Sequence, residues 1–283
     1  MDTIPEQAVS AQERIMIIAP HPDDEVLAAG GMIARASKLH NRIRVIVATN
    51  GDASYSTALS YGSHLVTKKN FGRQAIMRQN ESLNALASLG VDPTQVHFWG
   101  FPDRGLGELW KVSRDKESLY HSPTTGHDHS VQAVNSPVLP YTSDSLNALF
   151  DADLLDFSPT MIIMPHPCDD HSDHSSLANF TLVAATRYIE AHRQAPVLFA
   201  YWMWRKGRLW FTGSRSHSPG HLLIKKDCSL AAENHFILTR EILDRKVRAL
   251  QYYPSQRLAA GRIFRESSQK LYEAFTPIEL AVQ

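Results

Sequence analysis

The sequence predicts an α/β fold in which a mostly parallel central sheet is covered by helices on both faces. Two observations carry this. Short apolar runs of strand length alternate with longer segments whose apolar residues recur at helical spacing. The runs are also apolar throughout, as strands buried on both faces are, and right-handed crossovers then place helices on each face.

Taken in order, Ile15–Ala19 is the first strand, followed by a helix whose Val26, Ala29, Ile33 and Ala36 share one face. Ile43–Ala48 is β-branched and short, and the turn dipeptide Asn50-Gly51 closes it. Arg73 to Leu89 predicts a helix with Ile76, Leu83, Leu86 and Leu89 facing the core and Gly90 as its stop, leading into a third strand at Gln95–Trp99. From about Gly105 to Pro140 the pattern lapses into YHSPTTGHDHSVQAVNSP, an irregular loop or insertion near the sheet's edge. A helix capped by Ser143 follows, with Leu146, Leu149 and Phe150 inward, then the strand Met161–Met164 and a helix through about His192. Leu198–Trp204 and Arg208–Phe211 predict a hairpin turning at Lys206-Gly207, His221–Ile224 a further strand, and Thr239–Tyr252 a helix with Thr239 as cap. There is no internal repeat.

Composition narrows the function. Lys plus Arg (29) equal Asp plus Glu (29), so no net field draws nucleic acid or an anionic bilayer, and a small or neutral partner fits better. Length alone, 283 residues, allows one domain or two. The first fourteen residues, MDTIPEQAVSAQER, hold no apolar run of the kind a secretory leader needs, and no segment approaches the ~20 apolar residues of a membrane span. The two cysteines, Cys168 and Cys228, are too few for a disulfide framework, so a cytoplasmic location is the default and Cys168 reads as a small core or pocket residue.

Two polar bursts interrupt this ordinary composition. HPDDE follows the first strand and DDHSDH follows the strand ending at Met164. Ligands collect at the carboxyl ends of strands in open parallel sheets, so the fold itself can bring the two together. His21 and Asp24 lie three apart around Pro22, which stiffens the backbone; His171 and His174, also three apart, share a helix face. Two imidazoles and a carboxylate suit a catalytic zinc with an open fourth position, where water ionises near neutral pH. The assignment is His21, Asp24 and His174 as ligands, Asp23 as base, His171 as acid, and Asp173 orienting His171. Either burst alone reads more simply as an acidic helix start favoured by the helix dipole. Two of them at equivalent strand ends favour a site. His121, His127 and His129 sit in the irregular segment and are read without a metal role. The sequence lacks a G-x-S-x-G elbow and a phosphate-binding G-x-x-x-x-G-K-[ST] loop, and Gly105-Leu106-Gly107 lacks the third glycine of a dinucleotide fingerprint. Two-His-one-carboxylate ligation also serves non-haem iron, so ligand type does not select Zn2+ over Fe2+.

These motifs, in this order, resemble the LmbE-like (PIG-L type) de-N-acetylase family. The resemblance runs through IIAPHPDDE with Gly30-Gly31, Thr49-Asn50-Gly51-Asp52, Arg78-x-x-Glu81 with Leu89-Gly90-Val91, Phe98-Trp99-Gly100-Phe101-Pro102-Asp103, His171-Ser172-Asp173-His174, and Lys246 to Gln256. It implies a Rossmann-like three-layer sandwich over residues 1–283 as a single domain, with the insertion at about 105–140. It also implies zinc-dependent removal of an N-acyl group, typically acetyl, from a glucosamine-containing glycoside or glycolipid. The family's roles fall on His21, Asp24 and His174 as ligands, Asp23 as base and His171 as acid, and Arg78 and Asp103 match positions that touch substrate. Ser172 replaces the family's proline, which loosens the backbone without removing a ligand. The 105–140 segment departs as well and leaves the acceptor open. Tyr201, Trp202, Trp204 and Trp210 read as hairpin packing rather than sugar stacking. An amidase cleaving a larger acyl group and a non-catalytic carbohydrate-binding protein are the alternatives. The partner implied is a small amino sugar; the sequence does not specify the oligomeric state.

Overall fold

The computed structural model describes residues 3–4, 10–53, 68–112, 118–204 and 234–280. Its elements are β1 (Thr3–Ile4), β2 (Arg14–Ala19), α1 (Asp24–Lys38), β3 (Arg42–Thr49), α2 (Lys68–Leu89), β4 (Val96–Phe101), α3 (Leu106–Val112), α4 (Ser143–Phe157), β5 (Met161–Pro165), α5 (Ser172–His192), β6 (Val197–Tyr201), β7 (Asn234–Ile237), α6 (Arg240–Leu250), α7 (Arg257–Gln269) and β8 (Tyr272–Ile278). Eight strands among the described residues form one sheet in the order β1-β7-β8-β6-β5-β2-β3-β4. β6, β5, β2, β3 and β4 run parallel, and β8 lies antiparallel between β6 and β7.

The continuous apolar runs are explained by burial on both faces. Ile15, Ile17 and Ala19 of β2 point into one core with α1, α2 and α6, while Met16 and Ile18 point into the other with α3, α4 and α5, as a period of two requires. Each of these five side chains is at most 1% exposed, and burying a large apolar side chain stabilises by about 1.5–3 kcal/mol. Two helical layers thus sandwich the sheet.

Three features depart from the sequence expectation. Ile76, placed by periodicity on the buried face of α2, is 50% exposed. From Gln74 to Ser82, α2 turns Gln74, Ala75, Arg78, Gln79 and Ser82 inward, so its buried face there is largely polar and does not register as an apolar stripe. The irregular segment contains α3, and from residue 118 to 142 it forms a strap over the free edge of β4. Phe98 and Val134 exchange both backbone hydrogen bonds at 3.0 Å, and Tyr141 Oη donates to the carbonyl of Gly100 at 3.1 Å. Covering that edge removes a row of unpaired donors and acceptors. The cap of α4 is Thr142 rather than Ser143: its hydroxyl accepts from Ser145 N at 3.1 Å. The expected elements at Arg208–Phe211 and His221–Ile224, with Trp210 and Cys228, lie outside the described residues.

α1 is kinked. Ala29 has φ −131° and ψ 16°, and the amides of Gly31 and Met32 donate to the Glu273 carboxylate of β8 at 2.7 and 2.8 Å. Lys246 of α6 pairs with Glu273 at 2.7 Å and donates to the Leu27 carbonyl at 2.9 Å. The C-terminal elements thereby repair the broken helix ladder and fix α1, whose first turn carries the polar burst. Among the described residues no helix is long and apolar enough to cross a membrane.

Candidate metal centre

β2 and β5 are neighbours, with Ile17 opposite Ile163, and they flank the point where the chain switches from building toward β3 and β4 to building toward β6. Loops leaving a parallel sheet at such a switch diverge and open a crevice. Residues 20–25 and 166–174 therefore face one another although about 150 positions separate them.

The turn after β2 is tightly specified. Asp24 Oδ2 accepts from the His21 amide at 3.1 Å, and Asp24 N donates to the His21 carbonyl at 3.2 Å. Asp23, at the start of α1, has φ 136°, a region that costs a non-glycine residue of order 1–3 kcal/mol. Its amide donates to Glu25 Oε2 at 2.9 Å, and Glu25 is itself held by Ser82 Oγ at 2.5 Å and Tyr253 Oη at 2.6 Å. The strained backbone is thus pinned through Glu25 by α2 and by the turn that follows α6.

His21 Nδ1 lies 3.0 Å from Asp24 Oδ2, and His174 Nε2 lies 3.2 Å from the same oxygen. Ligands about 2.0–2.1 Å from a tetrahedral zinc sit roughly 3.3–3.4 Å from one another, close to this spacing. His174 is fully buried, yet neither of its ring nitrogens makes a hydrogen bond. An orphaned buried polar atom costs about 1–3 kcal/mol, and a cation at Nε2 would satisfy it. The residues fit a divalent ion.

Electrostatics agree. Burial acts to raise the Asp24 carboxyl, but His174 and His21 outweigh it and hold it well below the usual carboxylate range. Burial also acts to lower both imidazoles; Asp103, Asp173 and Asp24 nevertheless drive His21 well above its ordinary value, and Asp24 and Asp169 raise His174. Asp23 differs. Burial, aided by the charges of Asp24 and Glu25 and opposed by Arg78, pushes it up to about 8. Burial and the neighbouring His21 push His171 down to about 4. His171 Nδ1 accepts from the Asp173 amide at 3.2 Å, which leaves Nε2 as the protonated nitrogen of the neutral ring.

The remaining predicted residues are all drawn into the crevice, with partners the sequence did not foretell. The Asp173 carboxylate bonds His21 Nε2 at 3.2 Å and the amides of Arg104 and Leu106 at 2.6 and 3.2 Å. It is the backbone of Asp173, through its amide, that orients His171. Asp103 Oδ1 stands 3.3 Å from His21 Nε2, and its Oδ2 accepts from Ala53 N at 2.9 Å. Arg78 is 4% exposed: it donates to the carbonyls of Gly51 and Pro22 at 2.7 and 2.8 Å and stands 3.3 Å from Asp23. Gly51, at φ +60°, leaves no room for a Cβ, which would lie 2.0 Å from the Arg78 guanidinium.

Asp169 was missed. Its carboxylate is buried beside His174, and in the sequence nothing sets it apart from its neighbour Asp170. Of the four aromatics, Tyr201 is packed, with its hydroxyl donating to the Ile18 carbonyl at 3.0 Å, and Trp202 stacks on His166 with centroids 3.9 Å apart. Trp204 stands 6.3 Å from the His171 ring. Cys168, read as a small core residue, is disulfide-bonded. Among the described residues, the His/Asp groups with ligand atoms within 4.8 Å of one another are His21–Asp24–His174 and His21–His171–Asp173, so the histidines at 121, 127 and 129 do not form one.

Comparison with known proteins adds the family. Residues 16–185 match the PIG-L model, described as GlcNAc-PI de-N-acetylase. A 1D-myo-inositol 2-acetamido-2-deoxy-alpha-D-glucopyranoside deacetylase of Mycobacterium sp. (strain KMS) is 28% identical over 196 residues, 69% of this chain but only 56% of that relative's length. Among solved structures, the N,N'-diacetylchitobiose deacetylase of Pyrococcus horikoshii superposes with a TM-score of 0.57 at 15% identity, covering 98% of this chain and 87% of the other. The 4-carboxy-2-hydroxymuconate hydratase of Pseudomonas putida KT2440 superposes at 0.55 and 15% identity, covering 95% and 97%. At such identities the likeness is one of fold, and a hydratase beside a deacetylase shows that the fold alone does not select a reaction. The chain belongs to the PIG-L family of de-N-acetylases.

Proposed function

We propose that this protein is a metal-dependent hydrolase that removes an N-acetyl group from a glucosamine-containing glycoside or related conjugate. The observation that carries the reading is the meeting of His21 Nδ1, Asp24 Oδ2 and His174 Nε2 around one orphaned space, with Asp23 and His171 beside it. Zn2+ fits the ligand set, and Fe2+ would be held by the same atoms. When bound, such an ion supplies a Lewis acid and brings the ionisation of water near neutrality.

The protein groups supply the rest. Asp23 takes the proton of the attacking water; burial keeps its pKa near the working range, and Arg78 holds the carboxylate in place. His171 hydrogen-bonds the acyl oxygen through Nε2–H and, after taking up a second proton from solvent, acts as imidazolium acid toward the departing nitrogen and returns to the neutral ring. An anionic centre developing there raises its affinity for the proton from the low value that burial and His21 impose. Asp173 and Asp103 face the far nitrogen of His21 and fix its orientation. Hydrolysis adds water across the amide C–N bond and yields acetate and a free amine. Cleavage of a larger acyl group would use the same machinery with a different pocket.

Free amine and acetate released from N-acetylglucosamine, its oligomers and its inositol glycosides test the activity. The expected result is turnover abolished by a chelator and restored by zinc, with Asp23→Asn about 10²–10⁴-fold slower at unchanged metal content. Full activity in that variant would remove Asp23 as base. Preferential release of a longer acid selects the amidase, and sugar binding without turnover by the metal-loaded protein selects a binding function instead.

A further inference from the structure

Asp169 has no task in that scheme, yet it is one of the best-connected side chains in the crevice. Its Oδ1 accepts from the His171 amide at 2.9 Å, and its Oδ2 accepts from the amides of Met203 and Trp204 at 2.8 and 3.0 Å. The neighbouring Asp170 amide donates to the Trp204 carbonyl at 3.1 Å, so the 203–204 segment is held from two sides. Asp169 Oδ2 also stands 3.6 Å from His174 Nδ1, the ring nitrogen away from Asp24. That separation is too long for a direct hydrogen bond but well inside the range of a charge interaction.

A neutral imidazole carries one proton. His174 can lend Nε2 to a cation only if that proton sits on Nδ1, and a fixed carboxylate facing Nδ1 favours that tautomer. Three backbone amides keep the Asp169 carboxylate from turning away. We infer that Asp169 is a positioning residue, which holds His174 in the tautomer that frees Nε2 for the metal and ties that ligand to the backbones of His171 and Trp204. The inference rests on the metal reading above. It differs from the bland role of a loop staple, which the three amide bonds alone would satisfy.

Asp169→Asn keeps the shape, removes the charge and turns one of the two acceptor oxygens into a donor. Measured by chelator competition, metal affinity in this variant is expected to fall about 10–100-fold, the usual cost of losing an outer-shell partner, while the melting temperature of the metal-free protein shifts by a few degrees at most. A loop staple predicts the reverse, a lower melting temperature with unchanged affinity, and that result overturns the inference. Should the variant fail to fold, histidine-selective ¹⁵N–¹H spectra of the zinc-loaded wild type decide. His174 is expected to show a protonated Nδ1 and a metal-shifted Nε2; an unprotonated or metal-bound Nδ1 overturns the proposal. A wild type that takes up no metal removes the metal reading itself, whereas wild type and variant binding equally removes only the role of Asp169.

Discussion

Carboxylates within a few residues of one another take different states in this crevice, and the neighbours of each decide which. Asp24 and Asp103 face imidazoles, which outweigh burial and keep them ionised, whereas Asp23 and Asp52 have weaker compensation and are pushed up to about 8 and about 7. For Asp52 the largest cause is burial and the next the charge of Asp103. Its folded pKa lies above the unfolded value of about 3.9, so the folded state binds the proton more tightly. The stability this confers is fully present below about pH 4 and is lost as pH rises through about 7. Asp52→Asn removes the burden of an ionised buried carboxylate. In the metal-free protein the variant should therefore melt at the same temperature as wild type near pH 4 and several degrees higher at pH 8. Melting curves across that range check the sign; a difference that shrinks toward pH 8 would mean that Asp52 has a cationic partner in solution.

At the scale of elements, α1 delivers Asp23 and Asp24, and its geometry depends on residues far along the chain. Lys246 and Glu273 are 2% and 4% exposed, and their ion pair sits at the break in the α1 ladder. Breaking a buried pair from one side costs about 3–5 kcal/mol, because the remaining charge is left uncompensated. Lys246→Met is therefore expected to destabilise by that amount in denaturant titrations, and Lys246→Met with Glu273→Gln to recover part of the loss. A cost below 1 kcal/mol in the single variant would show that the Gly31 and Met32 amides suffice for Glu273. The same contrast between local and distant causes explains what was legible beforehand. β2, β3 and β5 could be read because both their faces are apolar, and the two polar bursts because histidine and aspartate at strand ends have few other uses. The kink at Ala29 could not, since its partner lies more than 240 residues away. Nor could the inward face of α2, where Gln74, Arg78 and Gln79 occupy positions that periodicity reserves for apolar side chains. β8 went unread because its burial is uneven and Pro277 lies near its end. The strap could be placed at an edge but not folded, since the pairing of Val134 with Phe98 that registers it on β4 is made of backbone bonds that any sequence can make.

Considered whole, the molecule gathers its proposed ligands from two crossovers that meet only when β2 pairs with β5. His21 and Asp24 follow one strand and His174 the other, so the unfolded chain cannot offer the same set, and binding of the proposed metal would be linked to folding. A ligand that binds only the folded state stabilises it by about 2.7 kcal/mol at a free concentration 100 times its dissociation constant. For a chain of this size that corresponds to a rise of several degrees in melting temperature. The rise should grow with the logarithm of zinc concentration. It should also shrink as pH falls, because protons compete for two imidazoles whose affinity for them the surrounding carboxylates increase. In His21→Ala combined with His174→Ala it should vanish, although that variant folds from the same apolar sheet. The decisive comparison is between melts in chelator and in saturating zinc for both proteins. Equal shifts in the two would place the ion elsewhere on the surface, and no shift in the wild type would leave the sheet's switch point without its metal.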